Sequence, residues 1–340
     1  MNRSVLAGIG TSLPTRLVTN VELSARLDTT DEWIRSRTGI RQRYVVPPGT
    51  ATSELATAAA RDAMVAAEVT AVDVVVLATS TPDHPCPATA PDVASRLGLT
   101  GAPAFDVAAV CAGFVYALAV ADGLISTGVA TSALVIGADT FSTILDPTDR
   151  TTRAIFGDGA GAVVLRAGAG DEPGALLGFD LGSDGTGHDL ITVRAGGSRQ
   201  RGSGPIVDAA DVYFAMLGKP VFMQAVLRMT ESSQAVLKRV GWELSEVDRI
   251  VAHQANLRIL HAVADQLELP RDKMLTNIDR VGNTVAASIP LALADAEARG
   301  ALRAGDRVVL TGFGGGLAWG SAALRWPDLD RRDPPMISSL

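Results

Sequence analysis

The sequence is poor in cysteine, lysine and aromatic residues. Only two of its 340 residues are cysteines, Cys86 and Cys111, which argues against a disulfide framework and favours a reducing, cytoplasmic setting. Its formal net charge of -7 argues against nucleic acid as a partner. Only three of its 30 basic residues are lysines, so any cationic surface must be built mostly from arginine. No apolar run approaches the length of a membrane span and no hydrophobic leader follows Met1, so no membrane association is expected.

The apolar residues, by contrast, make up 47% of the chain and can fill a large core. Short runs of Val, Ile and Leu alternate with Ala-rich stretches that have helical character. Continuous apolar strands between helices indicate a parallel sheet that is buried on both faces. The predicted helices cover residues 54–68, 88–97, 112–126, 218–240, 257–267 and 284–299.

A faint internal duplication gives the clearest prediction of the fold. Residues 72–78 recur about 175 positions later as residues 247–252, and residues 133–137 recur as 308–312. This pattern predicts an α/β protein with two similar halves in an α/β/α/β/α layered sandwich. We assign the halves to residues 1–173 and 174–326, and an exposed tail to residues 327–340. Pairing Phe105-Asp106 with Ile278-Asp279 would place Cys111 and Asn283 at equivalent strand-to-helix corners.

Cys111 is predicted to lie where a strand turns into a helix. The positive end of a helix and its backbone N–H groups lower the pKa of a thiol and favour the nucleophilic thiolate. A lone cysteine is also often a small buried apolar residue, so this motif is not specific by itself.

His253 and Asn283 give Cys111 a possible chemical context. If a malonyl thioester loses CO2, an enolate oxygen must be stabilised, and the Nε2–H group of His253 and the amide of Asn283 could do this. Taken singly, a loop histidine and a helix N-cap asparagine are ordinary features.

The cluster at Asp83, His84 and Cys86 lacks a second ligand pair, so no metal is expected.

Taken together, the motifs resemble the β-ketoacyl-acyl-carrier-protein synthase III family of the thiolase superfamily, over residues 3–326. The resemblance implies a thiolase-like duplicated sandwich, a homodimer and no bound cofactor, with a coenzyme A thioester as substrate. It further implies that an acyl-CoA primer loads Cys111, followed by decarboxylative condensation with malonyl-acyl carrier protein or malonyl-CoA. The matching segments are residues 31–40, 106–118, 146–150, 156–162, 253–258, 282–284 and 312–316.

The resemblance also assigns roles to individual residues. The catalytic residues are Cys111, His253 and Asn283, and the backbone N–H groups of Cys111 and Gly315 form an oxyanion hole. The residues that bind coenzyme A are Trp33, Arg37, Arg150 and Asn256. The acyl pocket is lined by Cys86, Phe141 and Phe156. Arg258 docks the carrier protein.

Four positions depart from the family pattern. Cys86 replaces a frequent phenylalanine, which predicts primers longer or more branched than acetyl. Met223, and Asp265 with Gln266, replace cations, which predicts weaker recognition of a generic acidic carrier protein. An acyltransferase that delivers its acyl group to an oxygen, nitrogen or unusual carbon acceptor is the alternative, although His253 together with Asn283 favours C–C bond formation.

Overall fold

A computed structural model of the chain describes residues 3–206 and 208–329. Two main sheets lie in succession along the chain. The first sheet has the strand order β1-β7-β6-β4-β5, and β2 pairs with β3 in a separate ribbon. These strands are β1 (Arg3–Ser12), β2 (Leu17–Thr19), β3 (Gln42–Tyr44), β4 (Val74–Ala78), β5 (Ala104–Val107), β6 (Ser132–Asp139) and β7 (Gly159–Gly168).

The second sheet has the order β11-β12-β13-β8, and β9 pairs with β10. The proposed boundary at 173/174 falls in the connection between β7 and β8. Both main sheets are mixed, because only the pairs β4–β5, β4–β6 and β11–β12 are parallel, so the prediction of a parallel sheet was wrong in that respect. The strands are β8 (Leu176–Ser183), β9 (Ile191–Val193), β10 (Phe214–Met216), β11 (Arg249–Ala252), β12 (Arg307–Gly314) and β13 (Ala318–Arg325).

The six predicted helices correspond to α3, α4, α5, α8, α9 and α11, with ends shifted by a few residues. Short helices fill several connections between them. The helices are α1 (Asn20–Ser24), α2 (Asp31–Thr38), α3 (Thr52–Ala66), α4 (Ala90–Arg96), α5 (Gly113–Ser126), α6 (Arg150–Arg153), α7 (Ser198–Gly202), α8 (Gly218–Val240), α9 (Leu257–Gln266), α10 (Ile278–Val281) and α11 (Ser288–Ala298).

The elements stack in five layers, as the duplication predicted. Helices α3 and α4 cover the first sheet, α8 and α9 cover the second, and α5 and α11 lie between the sheets. Close approach at this centre depends on small residues, since a Cβ atom on Gly137 of β6 would lie 2.3 Å from the backbone oxygen of Ala286. The central layer therefore brings the loops before α5 and α11 to one place.

The two halves repeat the same local turn at the start of each central helix. A turn of 3-10 helix, residues 110–112, precedes α5, and a second one, residues 285–287, precedes α11. Val110 and Val285, 175 positions apart, both have a left-handed backbone, with φ of 47° and 52°. The structural equivalent of Cys111 is thus Ala286, and Asn283 lies three residues earlier. The proposed match of Phe105 with Ile278 fails, because Phe105 lies in β5 whereas Ile278 begins α10.

The predicted tail covers residues 327–340, of which residues 330–340 lie outside the described residues. Within the described part, Pro327 is buried and Leu329 packs against the central core, so only Asp328 is exposed there. In residues 3–206 and 208–329, no helix is long and apolar enough to cross a bilayer.

Candidate active site

Cys111 lies in the 3-10 turn that leads into α5, and it is 9% exposed. Strand β12 packs directly on this turn, since a Cβ atom on Gly314 would lie 2.7 Å from the Cys111 backbone nitrogen. Burial raises the pKa of the Cys111 thiol far above its usual range, and the nearby carboxylate of Asp139 raises it further. The prediction of a lowered pKa was therefore wrong, because desolvation outweighs the backbone N–H group that favours the thiolate.

His253 follows directly after β11, as the sequence predicts, and its side chain is buried. Burial lowers its pKa to about 3, so the imidazole is neutral at physiological pH. Its Nδ1 atom lies 2.6 Å from the Ser288 hydroxyl at the start of α11. This contact occupies Nδ1, and a backbone hydrogen bond of the ring with Val285 opposes the lowering of the pKa.

Asn283 lies between α10 and the turn that precedes α11. Its Oδ1 atom accepts a hydrogen bond from the Val285 backbone N–H at 3.0 Å. This bond closes an Asx-type turn one residue before Thr284, the N-cap of the 3-10 turn, so the expected helix cap is not formed, but the bond fixes the orientation of the amide. The Nδ2 group is thereby the donor end of the side chain.

Cys111, His253 and Asn283 line one cavity of about 40 Å³. Phe141 and Phe156 line the same cavity, where sequence reasoning placed them. Sequence reasoning missed three further wall residues that come from the β9–β10 ribbon, and no motif marks this ribbon. They are Ile191, Phe214 and Met216.

A second cavity, of about 660 Å³, forms a groove on the outside of the molecule. Helices α8 and α9 contribute to both cavities, with Val221 and Ile259 facing the inner one. Among the described residues, four cations line the groove together with Trp33 and Asn256, and no acidic side chain does, although Asp28 lies 3.4 Å from Arg150 at its edge. The cations are Arg37, Arg150, Lys219 and Arg258.

The groove brings together all four residues assigned to coenzyme A. The guanidinium carbons of Arg37 and Arg150 lie 4.9 Å and 5.2 Å from the centre of the Trp33 ring. Asn256 caps α9 by accepting a hydrogen bond from the Arg258 backbone N–H at 2.9 Å. Arg258, assigned to carrier docking, thus lies beside the coenzyme A residues.

The remaining predicted residues lie outside these cavities. Cys86 is exposed and does not line the inner cavity of its own chain, so a role in a partner's pocket stays a prediction. Gly315 packs against Ile191 just beyond β12, and its oxyanion role also stays a prediction. Asp265 pairs with Arg271 at 2.6 Å, which offsets the negative charge that it brings to α9.

Asp139 is a buried residue near Cys111 that sequence reasoning missed. Burial raises its pKa to about 7, while donors from both halves of the chain oppose this shift. Its carboxylate accepts hydrogen bonds from Ser80 N at 2.7 Å and, across the centre, from Ala286 N at 3.0 Å. Asp139 therefore ties the Asn283 loop to the first half.

Among the described residues, no group of three or more potential metal ligands is clustered.

Comparison with known proteins agrees with this geometry. Residues 105–185 match the family 3-oxoacyl-[acyl-carrier-protein (ACP)] synthase III, and residues 237–326 match its C-terminal domain. The chain is 63% identical to beta-ketoacyl-[acyl-carrier-protein] synthase III 5 of Streptomyces coelicolor, over 96% of this chain and 98% of the relative. It is 57% identical to beta-ketoacyl-[acyl-carrier-protein] synthase III of Pseudomonas aeruginosa PAO1, over 96% and 97% of the two chains.

Solved structures show the same architecture. The crystal structure of 3-oxoacyl-(acyl carrier protein) synthase III from Pseudomonas aeruginosa PAO1 superposes with a TM-score of 0.90 at 56% identity, over 96% of this chain and 99% of that one. The priming β-ketosynthase from the R1128 polyketide biosynthetic pathway gives 0.87 at 33% identity, over 98% and 97%. The chain is therefore a thiolase-fold enzyme that belongs to the 3-oxoacyl-[acyl-carrier-protein] synthase III family.

Proposed function

We propose that this enzyme loads the acyl group of an acyl-CoA primer onto Cys111 and then condenses it with a malonyl thioester, with loss of CO2. The product would start a fatty acid or polyketide-type chain. One observation carries the proposal: a buried thiol, a neutral histidine and an oriented asparagine amide line a single cavity. This set supplies a nucleophile and two neutral hydrogen-bond donors.

In the loading step, the Cys111 sulfur attacks the thioester carbonyl of the primer. The new C–S bond forms, coenzyme A leaves as a thiol, and the proton lost by Cys111 balances that of the departing thiol. The backbone N–H groups of Cys111 and Gly315 are proposed to stabilise the tetrahedral oxyanion. Burial raises the pKa of the thiol, so its proton is proposed to pass to the sulfur of the departing coenzyme A during the attack.

In the condensation step, the malonyl thioester loses CO2 and leaves an enolate. The Nε2–H of His253 and the Nδ2–H of Asn283 are proposed to donate to its oxygen, with the Ser288 hydroxyl donating to Nδ1. The enolate carbon then attacks the acyl carbonyl, the C–C bond forms, and the Cys111 thiolate leaves and takes a proton from solvent. His253 stays neutral throughout, because its low pKa disfavours the imidazolium.

The wider setting belongs to the same proposal. The four cations of the groove suit the phosphates of coenzyme A and of a carrier-bound pantetheine arm. Strand β5 ends the first sheet at a half-buried edge, which supports pairing with a second copy in a homodimer. We further propose that the enzyme works in the cytoplasm and needs no resident cofactor.

The test is mass spectrometry of the Cys111 peptide after incubation with a panel of acyl-CoA thioesters, followed by measurement of CO2 after malonyl-carrier or malonyl-CoA is added. Cys111→Ala should abolish the acyl adduct, whereas the matched variant Cys86→Ser should retain it. An adduct on Cys86 would contradict the assignment of the nucleophile. Release of coenzyme A to an acceptor without CO2 would instead indicate the alternative acyltransferase.

A further inference from the structure

The two halves repeat not only the turns before α5 and α11 but also the strand that packs on each turn. Strands β6 and β12 lie 175 positions apart at both ends, the same interval that separates Cys111 from Ala286. Strand β6 contacts the turn of the second half, and β12 contacts the turn of the first half. A Cβ atom on Gly137 would lie 2.3 Å from Ala286 O, and one on its equivalent, Gly312, would lie 3.0 Å from Cys111 O. The two contacts between strand and turn are therefore built alike.

The likeness ends at the last residue of each strand, which is Asp139 in β6 and Gly314 in β12. The side chain of Asp139 is fully buried, and its Oδ2 atom accepts a hydrogen bond from Ala286 N at 3.0 Å. Gly314 faces the equivalent nitrogen, since a Cβ atom there would lie 2.7 Å from Cys111 N. A carboxylate thus occupies, at the turn of the second half, the place that a glycine leaves without a side chain at the turn of the first half.

This difference links Asp139 to the amide of Asn283. Val285 N donates to Asn283 Oδ1 at 3.0 Å, and the next backbone nitrogen along the chain, Ala286 N, donates to Asp139. Two hydrogen bonds at adjacent residues therefore connect the buried carboxylate to the amide that is proposed to hold the enolate oxygen. The N–H group of Cys111, by contrast, is the group proposed to bind the thioester oxygen.

The hydrogen bonds of Asp139 require a carboxylate. Its Oδ1 atom is bound from the first half, by Ser80 N at 2.7 Å, Thr81 Oγ1 at 3.1 Å and Thr79 Oγ1 at 3.3 Å. Both oxygens thus accept from a backbone N–H group, one in each half of the chain. An amide has one acceptor oxygen and would point its own N–H groups at the other donor, which would leave that buried donor without a partner.

We propose that Asp139 is a positioning residue of the condensation step, whose carboxylate holds the Asn283 amide in register with the enolate through Ala286 N. At this nitrogen the carboxylate takes the place that the thioester oxygen takes at Cys111 N. The two turns of the duplicated frame thus divide the work, one open to the substrate and the other closed by an internal anion. This inference rests on the proposed function, because it concerns the decarboxylation of the malonyl thioester.

The test measures the two half-reactions separately in Asp139→Asn. Acylation of Cys111 by butyryl-CoA is followed by mass spectrometry, and CO2 release from malonyl-CoA is then measured with the preloaded enzyme, at a pH above the pKa of about 7 that burial gives Asp139. The kcat for CO2 release should fall roughly ten- to a hundredfold, the order of the cost of a misplaced catalytic group, with a KM that changes less than about twofold. Acylation should not slow, because loss of the negative charge near the Cys111 thiol favours the thiolate.

The matched control is Thr79→Val, which keeps the shape of its side chain and removes a donor to Oδ1 of the same carboxylate. Because the bond from Ala286 N to Oδ2 remains, this variant should lower the melting temperature without changing the ratio of CO2 release to acylation. If Asp139→Asn fails to fold, Gly314→Ala tests the division between the two turns. Its added Cβ atom would meet Cys111 N, so acylation should slow at least about tenfold, as when an oxyanion donor is lost.

Four results would overturn the proposal: unchanged CO2 release in folded Asp139→Asn, an equal loss of both half-reactions in that variant, the same selective loss in Thr79→Val, or unchanged acylation in Gly314→Ala. Failure of the unmodified enzyme to load butyryl or any other acyl group would instead refute the proposed function.

Discussion

At the scale of single residues, burial decides the chemistry of the site. It raises the pKa of Cys111 and lowers that of His253, so both side chains are neutral near pH 7. A neutral imidazole can donate a hydrogen bond to an enolate without transferring its proton. Asp139 adds to the effect, because its ionisation above a pKa of about 7 would disfavour a thiolate at Cys111.

The two donors should therefore matter more for decarboxylation than for loading. We expect His253→Ala and Asn283→Ala to slow malonyl decarboxylation by about two to three orders of magnitude, the usual cost of removing an oxyanion donor. Self-acylation of Cys111 should fall less, most clearly in Asn283→Ala, because the amide takes no part in the attack of the thiol on the primer. Separate assays of CO2 release and of the Cys111 adduct check this expectation. His261→Ala, on α9, is the matched histidine control, and intact decarboxylation in Asn283→Ala would contradict the mechanism.

At the scale of elements, the turns before α5 and α11 hold the site. A β-branched residue with positive φ is an outlier, and such strain occurs mainly where the surrounding structure enforces it. Val110 and Val285 both adopt this conformation, one residue before Cys111 and two after Asn283. Strand β12 packs on the turn before α5, and the carboxylate of Asp139 holds the turn before α11 by accepting a hydrogen bond from Ala286 N.

These turns also show what the sequence can and cannot predict. The six predicted helices and the strand before His253 follow from apolar patterns with the period of a helix or a strand. The motif around Cys111 places the thiol at the start of a helix. Strand direction does not follow, because buried strands of both directions are equally apolar. The sign of the Cys111 pKa shift depends on the packing of β12 and on Asp139, residues more than 25 positions away. The Phe214 wall comes from a three-residue strand, which is too short for any pattern.

The loop between β4 and α4 carries Cys86 and gives a prediction at the same scale. Cys86 is exposed and does not line the inner cavity of its own chain, so we expect a larger side chain there to act on a partner's pocket. We expect Cys86→Phe to shift primer preference toward acetyl-CoA by about 1–3 kcal/mol, the discrimination that a hydrophobic pocket supplies. Competition between acetyl-CoA and a branched acyl-CoA, with Cys86→Ser as the control, measures the shift. An unchanged primer profile would show that Cys86 does not close a partner's pocket.

At the scale of the whole molecule, the distribution of charge contrasts with its sum. The chain has a net charge of -7, yet one groove is lined by four cations and, within the part of the chain that the structure describes, by no acidic side chain. The cations are Arg37, Arg150, Lys219 and Arg258. Arg150 also pairs with Asp28 at 3.4 Å, and exposed arginines away from the groove are paired as well, such as Arg228 with Glu231 at 3.1 Å and Arg271 with Asp265. Met223, where a cation is expected, is 63% exposed beside the groove. Anionic substrates are thus attracted by a local field on an acidic protein.

Reversal of one groove charge tests whether this local field serves both substrates. Arg258 lies beside the coenzyme A residues as well as at the exposed mouth of the groove. We therefore expect Arg258→Glu to raise the KM for acyl-CoA and for malonyl-carrier by roughly two- to thirtyfold, since an exposed charge interaction is worth about 0.2–1 kcal/mol and reversal counts it twice. The salt dependence of both steps should weaken. Initial rates at several ionic strengths measure these effects, and Arg61→Glu on α3 changes the net charge equally at a distance from the groove. Equal effects of the two variants would assign the attraction to net charge. An effect confined to malonyl-carrier would restrict Arg258 to carrier docking.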